Sequence, residues 1–144
     1  LATGNALEIF GDCIEDAKGE KHDCLKFFPY YAKQFSRLRY NDCSVGEFYG
    51  MKITGFKNLL SHSYGENPCP FLTMKTGAGM NKETKIEGVH KNNLFATYHT
   101  GPLLPLNPQF TDYLIKLVDS EYVGVELEYE TKAYESRIKE LTKQ

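Results

Sequence analysis

Three prolines within eight residues, at Pro102, Pro105 and Pro108, divide this chain more sharply than any other feature. Proline lacks the backbone N–H and fixes φ, so Gly101–Pro108 is a loop and not a continuous helix or central strand. On its N-terminal side, Leu94–Tyr98 is short, apolar and β-rich, which suits a buried strand. On its C-terminal side, Gln109–Val118 reads as an amphipathic helix, with Phe110, Tyr113, Leu114, Leu117 and Val118 on one face. Gly124–Leu141 reads as a second one, its stripe formed by Leu127, Tyr134, Ile138 and Leu141, and faces a core or a partner.

Earlier in the chain the signals are shorter. Leu1–Thr3 reads as the tail of a strand, Gly4-Asn5 as a turn, and Ala6–Phe10 as the start of a helix stopped by Gly11. Asp12–Asp23 is charged and turn-rich. Leu25–Tyr31 is aromatic, and Pro29 argues against a regular central strand there. Glu47–Ile53 is a candidate strand, Thr54–Pro70 is loop-like, and Thr76–Asn81 is a glycine-rich turn. The alternation of short strands with helical pieces predicts an α/β fold, although a parallel sheet built from this chain alone is short of strands.

With 144 residues the chain makes about one domain. Its 41% hydrophobic and 25% charged residues exclude wholesale disorder. A formal net charge of −2 argues against a nucleic-acid partner. No apolar run reaches the roughly 20 residues of a membrane span, and no signal peptide is read. The expected location is cytoplasmic. Leu1 stands where a Met would open a natural chain. Cys13, Cys24, Cys43 and Cys69 form no CxxC pair and read as free thiols, and the nearness of His22 to Cys24 is not a zinc pattern. No metal or other cofactor is implied: His22, His62, His90 and His99 sit in no ligand motif, and Gly77-Ala78-Gly79 reads as an ordinary turn.

Two stretches carry chemistry. Leu1-Ala2-Thr3-Gly4-Asn5-Ala6-Leu7-Glu8-Ile9-Phe10-Gly11 looks like a nucleophile elbow, a strained strand-to-helix turn beside an oxyanion hole. The second runs from Glu87 to Pro108 and contains Thr97-Tyr98, Gly101-Pro102-Leu103-Leu104-Pro105 and Asn107-Pro108. Together they resemble the class I glutamine amidotransferases of the cobyric acid synthase and lipid II isoglutaminyl synthase amidotransferase-subunit type. There the elbow reads Cys-Gly-Gly-x-Gln-Leu-Leu-Gly, and the second stretch contains Gly-Thr-Tyr-Leu-His-Gly-Pro-Leu-Leu-Pro-Lys-Asn-Pro. Gly55-Phe56-Lys57-Asn58 and Arg37-Leu38-Arg39-Tyr40-Asn41 resemble further family segments.

The resemblance implies the C-terminal part of a flavodoxin-like, three-layer domain with a mostly parallel sheet. Residues 1–144 would then be a single amidotransferase-like domain lacking its N-terminal strands. The departures fall on the reacting positions. Aligned to Gly11, the family's cysteine lands on Gly4 and its histidine on Thr100, with His99 alongside; the elbow's two glycines become Asn5 and Ala6, and its glutamine becomes Glu8. Amide hydrolysis by this route needs a thiolate and a base, and neither position supplies one. In a strand, His99 points to the face opposite its neighbour, and Cys13 lies too far along to attack. The expectation is therefore a catalytically degenerate domain serving as a scaffold or binding module, with a synthetase or ligase subunit as its partner. The alternatives are an active enzyme with rearranged residues, such as His99 with Glu8, and an interaction domain built on the terminal helices. Arg37 and Asn5 are the substrate-binding candidates, and Glu87 is a brace for the loop near the site.

Overall fold

The computed structural model describes residues 1–143 apart from Ser36 and Leu38. Ten strands are assigned: β1 (Ala2–Thr3), β2 (Cys13–Glu15), β3 (Lys21–Asp23), β4 (Tyr30–Gln34), β5 (Tyr40–Phe48), β6 (Met51–Leu59), β7 (Ser61–Gly65), β8 (Pro70–Thr76), β9 (Ile86–Lys91) and β10 (Leu94–Thr97). A 3-10 helix covers Gly4–Phe10, and two α-helices follow the strands, α1 (Pro108–Val118) and α2 (Glu128–Leu141). The fold is mixed α/β and mostly strand. One sheet has six strands in the order β1-β10-β9-β8-β5-β6, and the other has four in the order β3-β2-β4-β7.

The mostly parallel, flavodoxin-like sheet is not what forms. Among the described residues only β1–β10 and β2–β4 pair in parallel; the other neighbours are antiparallel. The connections explain this, because parallel neighbours need crossovers of a dozen or more residues. β5 and β6 are instead joined through Tyr49 and Gly50 alone, both left-handed at φ 46° and 81°. That is the tight hairpin geometry whose twist matches the strands. Asn92, at φ 53°, does the same between β9 and β10.

Further differences follow from buried polar side chains. The segment read as loop, 54–70, contains most of β6 and all of β7. Thr54, Lys57, Ser61, His62 and Ser63 are all buried there, so no apolar alternation marks the strands. Asp12–Asp23 holds β2 and β3, and the candidate strand Glu47–Ile53 is the hairpin's tip. The turn after Gly4 is 3-10 and not α-helical.

Two apolar clusters support the sheets. Leu7, Tyr30, Leu59, Val89, Ala96 and Tyr98 pack beneath the 3-10 helix. Phe48, Phe71, Phe95 and Phe110 form an aromatic cluster under α1, with Phe48 edge-on to Phe71 at 5.1 Å. Along α1, Phe110 is buried and Tyr113 and Leu114 are partly so, while Val118 is exposed. Asn107, just before α1, fastens the helix to β6: its side chain accepts from Thr54 N at 2.8 Å and donates to the carbonyls of Thr54 at 2.8 Å and Leu103 at 2.7 Å. α2 packs on β5, β6 and α1, burying Ile138, and Tyr134 donates to the Lys52 carbonyl at 2.8 Å. Among the described residues no helix is long and apolar enough to cross a membrane.

Candidate functional site

The chain leaves β1 through Gly4, which is buried and left-handed at φ +64°. Residues with a Cβ avoid this backbone region, and glycine enters it freely. Gly4 therefore allows the sharp elbow with no side chain at its apex. A Cβ built on Gly4 would lie 3.2 Å from Thr100 Cγ2, so the two reacting positions of the resemblance are neighbours in space. Thr100 is held in place: its N–H and its hydroxyl each donate to the Phe56 carbonyl at 2.9 Å. A hydroxyl engaged in this way is not a general base. Gly4→Ala should cost about 1–2 kcal/mol through the left-handed backbone alone, read as a lower urea midpoint at unchanged slope.

Beyond the elbow, a buried polar network centres on Glu8. Its Oε1 accepts from Asn5 Nδ2 at 2.7 Å, from Tyr98 Oη at 3.1 Å and from the Ser61 hydroxyl. Asn5 Nδ2 also reaches Ser61 Oγ at 2.8 Å, and Ser63 Oγ lies 2.6 Å from Tyr98 Oη. Burial pushes the Glu8 carboxyl above its ordinary range, against the pull of these hydrogen bonds. An open cleft of about 840 Å³ lies over this network, lined by Asn5, Glu8 and Ser61 together with Gln34, Phe35 and Arg39.

Of the two arginines in the Arg37–Asn41 segment, Arg39 lines the cleft and donates to Asn58 Oδ1 at 3.0 Å. Arg37 is exposed and outside the cleft lining. Asn5 is at the cleft, but its amide already serves Glu8 and Ser61. His99, two residues past the end of β10, is fully buried, with Nε2 2.8 Å from Ser44 Oγ. A Cβ on Gly55 would come within 2.6 Å of the imidazole Cγ, so glycine makes room for the ring. Burial lowers the His99 pKa to about 4, leaving a neutral ring. His99 and Glu8 thus belong to separate networks.

Two further buried charges frame the strand. Glu87 accepts from Thr97 Oγ1 at 2.7 Å and from Tyr98 N at 2.8 Å, which braces the end of β10. Lys57 is fully buried and donates to the carbonyls of Ala78 at 2.7 Å and Gly79 at 2.9 Å; burial pushes its pKa down, against the attraction of Glu87. With these carbonyls turned to Lys57 and Ala78 N donating to Asp42 at 3.0 Å, Gly77–Gly79 is an occupied turn and not an anion cradle. Asp16, Glu20 and His22 gather at the surface without Cys24, but Asp16 Oδ1 already accepts from Lys18 N and Glu20 N.

No sequence signal singles out Ser61, Ser63 or Arg39: neither serine lies in a quoted motif, and Arg39 shares its segment with Arg37.

No family model matches the chain. It is similar to the lipid II isoglutaminyl synthase (glutamine-hydrolyzing) subunit GatD of Staphylococcus aureus (strain N315), at 42% identity over 67 residues, covering 44% of this chain and 26% of that protein. It is also similar to the subunit of the same name from Streptococcus pneumoniae (strain ATCC BAA-255 / R6), at 24% identity over 131 residues, covering 89% of this chain and 50% of that protein. The chain spans about half the length of the curated relatives it matches.

Proposed function

We propose that this chain is a glutamine amidotransferase-like unit whose reaction centre has lost both its nucleophile and its base, and which acts as a binding or scaffolding partner of a synthetase or ligase subunit. The observation that carries the reading is the apex of the elbow. Gly4 keeps the left-handed turn and the approach to Thr100, yet it offers no atom to attack an amide carbon. Thr100 holds Phe56 where a base would face the nucleophile. The Glu8 network is compatible with a retained pocket for a polar ligand, since it places carboxyl, amide and hydroxyl groups along one cleft.

A second reading rests on Glu8 and Ser61. A buried carboxyl touching a hydroxyl is a pairing from which hydrolytic chemistry can be built. One assay separates the two. The chain, alone and with a candidate synthetase subunit, is incubated with glutamine, and released ammonia and glutamate are measured. In parallel, a cysteine-directed glutamine analogue is followed by mass spectrometry. The expected result is no release and no labelled cysteine. Turnover that disappears in Ser61→Ala would replace the first reading with the second. A labelled Cys13 or Cys24 would overturn both.

A further inference from the structure

A second cavity adjoins the cleft, at about 470 Å³ and within the roughly 300–1,000 Å³ usual for small-molecule sites. It is lined by Phe35, Arg39, Tyr40, His62, Tyr64 and Lys82. The composition is unusual for a chain with net negative charge: four rings, two cations and, among the described lining residues, no carboxylate. His62 is 5% exposed and lies between Phe35 and Tyr40, with ring centroids 5.0 Å from each. Its Nδ1 has no hydrogen-bond partner. Lys82 Nζ stands 5.3 Å from the Tyr40 ring centre, a cation–π contact.

The two cations are available. Among the described residues neither Arg39 nor Lys82 has a carboxylate at ion-pair distance. Arg39 gives one N–H to Asn58 and keeps the rest of its fork for an incoming anion. The nearest acids act on the tyrosine hydroxyls and do not line the cavity. Burial first, and Asp42 second, push Tyr40 up to about 12, and burial with Glu83 raises Tyr64.

We infer that this cavity binds a ligand carrying an anionic group beside a flat ring, of the mononucleotide class, with the phosphate between Arg39 and Lys82 and the ring against the Tyr40 and Tyr64 side chains. A free cation is disfavoured by the two positive side chains. A purely apolar ligand would leave both of them without a counter-charge. A planar anion uses both halves of the lining, since bases stack on aromatic side chains whatever their sequence. This inference does not depend on whether the elbow is catalytic.

The test is calorimetric titration of the chain with AMP, with adenosine and inorganic phosphate as the two half-ligands. AMP should bind saturably, and each half-ligand at least about tenfold more weakly. Lys82 is exposed, so its variants should fold, which circular dichroism checks. Lys82→Glu should weaken AMP by about tenfold or more, while Lys82→Arg stays near the parent value. Three results would overturn the inference: no saturation at millimolar AMP, phosphate binding as tightly as AMP (an anion site without a ring site), or Lys82→Glu binding AMP as the parent does.

Discussion

Glu87→Ala is expected to lower the unfolding free energy by about 4 kcal/mol, measured by urea denaturation at neutral pH. The carboxylate is fully buried and accepts two hydrogen bonds, one from the Thr97 hydroxyl and one from the Tyr98 amide. Alanine leaves both donors without a partner inside the protein. It also removes the negative charge that favours the buried ammonium of Lys57. Breaking a buried charged arrangement from one side is costly because the other side cannot return to water. Glu87→Gln keeps an acceptor for Tyr98 N and should recover about half of the loss. A loss below about 1 kcal/mol for alanine would mean that water replaces the carboxylate and that Glu87 does not brace β10.

The second large effect is an acid limb set by His99. The ordinary histidine pKa of 6.5 falls to about 4 in the folded chain, because burial disfavours the imidazolium. Above pH 6.5 the ring is neutral in both states and the stability is fully present. As pH falls from 6.5 toward about 4, the unfolded chain takes up a proton that the folded chain refuses, so stability is lost across that window. The shift corresponds to about 3 kcal/mol. His62, also pushed down by burial and by Lys82, acts in the same direction. Urea midpoints at about pH 7 and about pH 4 for the parent and for His99→Gln isolate the term. Glutamine can still meet Ser44 but does not titrate, so its acid loss should be smaller by most of that amount. Equal losses in both proteins would remove His99 as the cause.

The sequence marks some of this structure clearly. Leu94–Thr97 and α1 are legible because their apolar residues recur at strand and helix spacing and prolines bound them. The hairpin between β5 and β6 is not, since its turn is Tyr-Gly and not the Asn-Gly or Asp-Gly that announces such turns. β6 and β7 are hidden for a different reason. Their buried positions include Lys57, Ser61 and Ser63, which are polar and are held by the Ala78 and Gly79 carbonyls, the Glu8 carboxyl and the Tyr98 hydroxyl respectively. The antiparallel direction of the sheet is hidden with them, because without the β5–β6 hairpin and β7 the remaining strands look too few and too far apart. At the site, His99 lies beyond the end of β10, and its ring meets Ser44 and not the Glu8 network. The closeness of Gly4 to Thr100 came from the resemblance, and no local pattern encodes it. Arg39 and Arg37 differ only in where the chain bends, which composition does not record.

The parallel pairing of β1 with β10 bears on the order in which the molecule is made. The bond from Tyr98 to Glu8 joins residues 90 apart, and Ala2 pairs with Ala96. At roughly 5–20 residues per second of synthesis, the elbow waits about 5–20 s for the strand that completes it. During that wait Leu7 and Glu8, both buried in the finished fold, lack the cover that Ala96 and Tyr98 provide. The elbow is thus synthesised well before the strand that closes it, and slower or interrupted translation between β7 and β10 would lengthen its exposure to chaperones and proteases.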